Sequence, residues 1–121
     1  MNKIIVAITM CVLLCDSSFA ADPSLFVKAT INKDSIKVTF PDTGTRYLIE
    51  LNGKELGVNE YGQNLLFNKT DRLRLSEKHS TYLITYLQIN EKCYLQIKET
   101  GIDQKSGEEV KKAYYKVLEI E

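Results

Sequence analysis

Few side chains in this chain could do chemistry, and the two best candidates are Cys93 and His79. A thiolate is a strong nucleophile once a base or a positive neighbour lowers its pKa, so His79 could serve as the base for Cys93. The structural alternative is that Cys93 faces a core, because it alternates in phase with Leu95 and Ile97. The alternation favours a core cysteine, and the polar segment 77–80 predicts an exposed loop for His79.

Metal, nucleotide and nucleic-acid chemistry have little support in the sequence. After the first 20 residues the chain has one histidine and one cysteine, too few for a usual four-ligand zinc site. It contains no calcium-loop spacing, no phosphate-binding glycine loop and no G-x-S-x-G elbow. The 16 basic and 16 acidic residues balance, without the basic excess of a nucleic-acid binder. We therefore expect no metal, no cofactor and no nucleic-acid partner.

The beginning of the chain has the pattern of an export signal. Lys3 supplies a positive start, residues 4–14 are almost wholly apolar, and small side chains precede a cleavage site after Ala20. The pattern is typical of bacterial export, so we predict a signal peptide over residues 1–20. The protein is then expected to be periplasmic or secreted.

Two alternatives to simple cleavage stay open. An uncleaved N-terminal anchor is disfavoured because residues 4–14 are shorter than the about 20 residues that span a bilayer as a helix. Lipidation of Cys15 is the second, since residues 12–15 resemble a bacterial lipoprotein signal. Leu14 departs from that signal, which has glycine, alanine or serine at this position.

Residues 21–121 suit one domain and leave little room for two. Cys93 is the only thiol in this part, so an internal disulfide is excluded and packing must hold the domain together. Asn68 begins an Asn-Lys-Thr glycosylation sequon. Because the export signal is of bacterial type, we expect no glycan on Asn68.

Side-chain character alternates along several short segments, as it does in half-buried strands. Clear cases are residues 35–40, 47–51, 54–58, 81–99 and 113–120. Turn-forming residues separate these segments at the spacing of all-β domains, and no helical periodicity is evident. We predict an all-β domain, a small antiparallel sandwich or barrel of seven to eight short strands.

Two hairpins have a predicted register. The Asn-Gly dipeptide at 52–53 favours a two-residue type I′ turn, in which Leu51 faces Lys54 and Ile49 faces Leu56.

The longest predicted hairpin, residues 81–99, breaks its alternation at the Asn-Glu-Lys segment 90–92. A three-residue loop there pairs Ile89 with Cys93. This register would bring Tyr82, Tyr86 and Tyr94 onto one face of the hairpin.

The tyrosine set is the best candidate for a binding surface. Tyrosine supplies rigid, amphipathic contact area, so Tyr82, Tyr86 and Tyr94 together would suit a protein interface. The alternative is that the rings only cover the sheet, because aromatic residues are common in strands. A second candidate is the polar ribbon 100–112, whose tip is predicted near residues 105–108.

The sequence thus favours a small exported protein that binds a protein partner and is not an enzyme. An inhibitor or an immunity-type factor fits this description. An accessory protein of envelope assembly is the alternative, and a small hydrolase using Cys93 or His79 is a weaker one. A glycan or a small ligand also stays open as a partner.

Overall fold

The structure, a computed structural model, describes residues 24–121 and contains ten β-strands in that range. The predicted signal peptide, its cleavage site and Cys15 lie outside the described residues. The strands are β1 (Lys28–Asn32), β2 (Ser35–Thr39), β3 (Leu48–Leu51), β4 (Lys54–Val58), β5 (Asn64–Asn68), β6 (Leu73–Ser76), β7 (Ser80–Ile89), β8 (Lys92–Ile102), β9 (Glu109–Val117) and β10 (Glu119–Ile120).

The all-β prediction is confirmed, with two sheets. One sheet has four strands in the order β10-β1-β2-β5, and the other has six in the order β4-β3-β6-β7-β8-β9. All neighbouring strands are antiparallel except β1 and β10, which are parallel.

The number of strands exceeds the seven to eight expected, in part because the last predicted strand is divided. Leu118, only 3% exposed, separates β9 from β10, and its backbone N–H donates to the carbonyl oxygen of Cys93 at 2.9 Å. The chain passes from one sheet to the other at this buried residue. An alternating sequence over 113–120 does not reveal such a crossing.

The hairpin of β3 and β4 follows the predicted register for one pair only. Asn52 and Gly53 have φ values of 53° and 85°, as a type I′ turn requires, and Leu51 pairs with Lys54. The expected pairing of Ile49 with Leu56 is wrong, because Ile49 pairs with Gly57. A β-bulge after the turn adds one residue to β4, which shifts the register beyond it.

One hydrophobic core lies between the inward faces of the two sheets. The four-stranded sheet contributes residues such as Ile36 and Val38, and the six-stranded sheet contributes Ile84 and Ile97, all four of them 0% exposed. Burial of each such side chain stabilises the fold by about 1.5–3 kcal/mol. Because strand side chains alternate, the opposite face of β7 and β8 must point away from this core.

Candidate functional site

The three candidate tyrosines do not form one surface. The β7–β8 turn has two residues, so Ile89 pairs with Lys92, and the predicted pairing of Ile89 with Cys93 is wrong. Asn90, at φ 57°, takes the first turn position. The shift by one residue places Tyr94 on the outward face, opposite to Tyr82 and Tyr86.

Tyr82 belongs to the core rather than to the surface. Its side chain is 8% exposed, and its ring meets the Tyr47 ring edge-on at a centroid distance of 5.9 Å. Such aromatic pairs contribute about 0.5–1.5 kcal/mol beyond the area that they bury. The position of Tyr82 therefore fits the alternative interpretation, in which the ring covers the sheet.

Three hydroxyl groups donate hydrogen bonds to the half-buried carboxylate of Glu99, next to Tyr82. Oε2 of Glu99 accepts hydrogen bonds from Ser80 Oγ at 3.2 Å and from Tyr82 OH at 3.4 Å. Oε1 of Glu99 accepts one from Tyr114 OH at 2.9 Å. Burial, followed by the negative charge of Glu99, raises the pKa of Tyr82, because both disfavour the phenolate.

The raised pKa of Tyr82 predicts a loss of stability at alkaline pH. In the unfolded chain a tyrosine ionises near pH 10, whereas folded Tyr82 keeps its proton to higher pH. The stabilisation is complete below about pH 10 and is lost as the pH rises through the folded-state value. Urea unfolding at pH 8 and pH 11 should show a smaller loss for Tyr82→Phe than for wild type, with Tyr115→Phe as the exposed control. Equal losses in Tyr82→Phe and wild type would contradict the assignment.

Cys93 lies at the other end of the hairpin, partly buried and packed against the core, in phase with Leu95 and Ile97 as the alternation predicts. The hydroxyl of Tyr86 lies 3.3 Å from Cys93 Sγ. This hydrogen bond is the main reason why the pKa of Tyr86 is raised.

The ring of Tyr86 carries a second contact, since Lys69 Nζ lies 5.5 Å from its centroid. Lys69 also pairs with Asp34 at 3.0 Å. Tyr86 is thus held between a thiol and a cation at one end of the domain.

His79 cannot act on Cys93. Ser80, next to His79, pairs with Gly101, while Cys93 pairs with Gln88 at the far end of the same two strands. Eight residues of β8 separate these pairs, roughly 26 Å at about 3.3 Å per residue. The suggested base and nucleophile are therefore not a catalytic pair. His79 lines an open groove of about 270 Å³ and donates its backbone N–H to the Glu77 side chain.

The outward face of β7, β8 and β9 carries an apolar surface that sequence reasoning missed. Leu87, Tyr94 and Val117 stand side by side in register across the three strands. Tyr115 lies next to Val117 on this face and accepts a hydrogen bond from Gln96 Nε2 at 3.3 Å. We call the following residues the outer patch: Leu87, Ile89, Tyr94, Tyr115 and Val117.

Ile89, Tyr115 and Val117 of the outer patch are exposed, the other two residues are half-buried, and lysines lie beside the patch. Tyr115 is 55% exposed and Val117 is 58% exposed. Lys92 and Lys98 share the outward face of β8, and neither has an ion-pair partner within residues 24–121. Of the three candidate tyrosines only Tyr94 belongs to the outer patch. The alternation of Tyr115 and Val117 was visible in the sequence, but their place beside Tyr94 depends on the β8–β9 register.

The ribbon 100–112 is formed by the ends of β8 and β9, with the connecting turn at residues 103–108. Asp103 organises this turn, because its carbonyl oxygen accepts from Gly107 N–H at 2.7 Å and its Oδ1 accepts from Lys105 N–H at 2.8 Å. Ile102 at the base of the turn is 62% exposed. The tip is therefore a structured projection of the six-stranded sheet.

Among residues 24–121, no group of three or more histidine, cysteine, aspartate or glutamate side chains is placed to hold a metal ion. The same part of the chain has no helix long and apolar enough to cross a membrane. In comparisons with known proteins, the chain matches no protein-family model, no curated protein and no solved structure.

Proposed function

We propose that this protein is a small exported β-sandwich domain, released from its signal peptide after Ala20, that binds a protein partner through the outer patch. The exposed apolar cluster on three adjacent strands carries the proposal. Large contiguous apolar surface is uncommon on monomeric proteins and often marks an interaction site. An inhibitor or immunity-type factor is the kind of protein that acts through such a surface.

The opposite side of the domain differs from the outer patch, and this difference supports the outer patch as the binding surface. On the outward face of the four-stranded sheet, Lys37 pairs with Glu121 at 3.3 Å and Thr39 Oγ1 donates to Asn64 Oδ1 at 2.7 Å. These contacts are those of a solvated face. The outer patch instead places two tyrosines beside aliphatic side chains, the composition found at the centre of protein interfaces.

The outer patch is also ordered before any partner arrives. Tyr94 lies between Leu87 and Val117 in the sheet, and the hydrogen bond from Gln96 fixes the Tyr115 hydroxyl. A tyrosine side chain loses little conformational entropy on binding, and a ring that is already held in place loses even less. A rigid contact surface of this kind favours binding over catalysis as the role of this face.

The proposal is tested by capturing partners from the native host and its neighbours on wild-type protein and on matched variants. Val117→Glu places a charge in the outer patch, beside Tyr94, and is expected to weaken capture at least about tenfold, equivalent to about 1.4 kcal/mol. Leu66→Glu is the control, because Leu66 is 64% exposed on the other sheet. Equal capture by both variants, or no stoichiometric partner with wild type, would overturn the proposal.

A further inference from the structure

Strand β9 is the longest unpaired edge in the described part of the chain. It has nine residues and stands last in the six-stranded sheet, paired with β8 on one side only. The other sheet edges are β4 and β5 with five residues each and β10 with two, and β4 is bent by its bulge. A long regular edge is a template for a further strand.

The hydrogen-bond phase of β9 shows which backbone groups are directed at the open side. Leu118 N–H donates to Cys93 O, and Asp103 N–H donates to Glu108 O, both at 2.9 Å. The β8–β9 register is continuous between these two bonds, so the even-numbered residues of β9 bond to β8. The odd-numbered residues direct their N–H and C=O groups away from β8, and no other strand within residues 24–121 pairs with them: Glu109, Lys111, Ala113, Tyr115 and Val117.

The charges of β9 indicate what kind of strand would fit. The strand contains three lysines and one glutamate. Lys112 and Lys116 lie on the inward face of the strand together with Val110 and Tyr114. The outward face carries Glu109, Lys111, Ala113, Tyr115 and Val117. A strand laid beside β9 would therefore meet two lysines on the inward face, and on the outward face an apolar surface over residues 113–117.

We propose that β9 accepts, by strand addition, an extended segment of the partner in which acidic and apolar residues alternate. The proposal rests on the proposed function and extends it, because the apolar side chains of the added strand would continue the outer patch. Backbone hydrogen bonds to the odd-numbered residues supply the attachment, and the lysines select an acidic face. A second copy of this chain is a poorer occupant, because its own three lysines would join the same ladder.

The test uses the purified protein and two synthetic nine-residue peptides, one alternating glutamate and valine and one alternating lysine and valine. The glutamate peptide is expected to bind, to weaken with added salt, and to bind at least tenfold more tightly than the lysine peptide. Equal binding of the two peptides would overturn the charge selection. No binding of the glutamate peptide would overturn strand addition, while capture lost in Val117→Glu would still support the proposed function.

The variant Ala113→Pro tests the edge itself. Its N–H faces the open side, so proline removes a donor for the added strand without removing a β8–β9 hydrogen bond. We expect at least a tenfold loss of peptide binding, with Ala113→Ser as the matched control. Lys112→Glu alters no backbone group and should also weaken the binding of the glutamate peptide. Unchanged binding in Ala113→Pro and Lys112→Glu would overturn the proposal, as would a wild-type dimer in sedimentation that Ala113→Pro abolishes.

Discussion

Replacing Ile97 by alanine is expected to lower the free energy of unfolding by about 2–5 kcal/mol. Ile97 lies in the middle of β8, is 0% exposed, and pairs with Ile84 on β7 and with Tyr114 on β9. The substitution removes three buried carbon atoms and leaves a cavity between the two sheets. Chemical denaturation, followed by the far-ultraviolet circular dichroism of the strands, measures the change.

The matched control is Ile102→Ala, which makes the same chemical change on the same strand. Ile102 is 62% exposed, and surface substitutions usually change the free energy of unfolding by no more than about 0.5 kcal/mol. Equal losses at positions 97 and 102 would contradict the position of the core. A large difference would support the two-sheet packing and the register of β8 together.

Local pattern was sufficient for the fold class because strand side chains alternate with a period of two. The phase of Leu95 and Ile97 on β8 indicated buried positions, and both are 0% exposed. Alternation says nothing about which strands are neighbours or where the chain changes sheets. The crossing at Leu118 depends on contacts with residues that are distant in sequence, so it could not be predicted.

The predicted register of the β7–β8 hairpin is wrong because of one turn residue, Asn90. Asn90 is followed by Glu91 rather than by glycine, so the two-residue turn lacks the usual Asn-Gly signal. Asparagine tolerates positive φ, and Asn90 adopts it at 57°. A slip of one residue changes which side chains share a face, so Tyr82 and Tyr86 lie on the inward face with Cys93, while Tyr94 lies on the outer patch. Its true neighbour Val117 depends on the β8–β9 register.

Glu99 presents a different problem, because the sequence places a charged residue on the inward face of β8. The structure explains its position by the hydroxyls of Ser80, Tyr82 and Tyr114, all of which donate to its carboxylate. Hydrogen bonds to charged groups contribute about 1.5–3 kcal/mol each, but a half-buried carboxylate also loses hydration. Which of the two effects is larger decides whether Glu99 stabilises the fold.

We expect the hydrogen bonds to be the larger effect, so that Glu99→Ala lowers the free energy of unfolding by about 1–3 kcal/mol. Tyr82 is 8% exposed, and water cannot readily replace the acceptor that its hydroxyl loses. Glu99→Gln should lose less, because the amide keeps one acceptor oxygen, and exposed Glu91→Ala serves as the surface control. A Glu99→Ala protein as stable as wild type would mean that the cost of burying the carboxylate offsets its three hydrogen bonds.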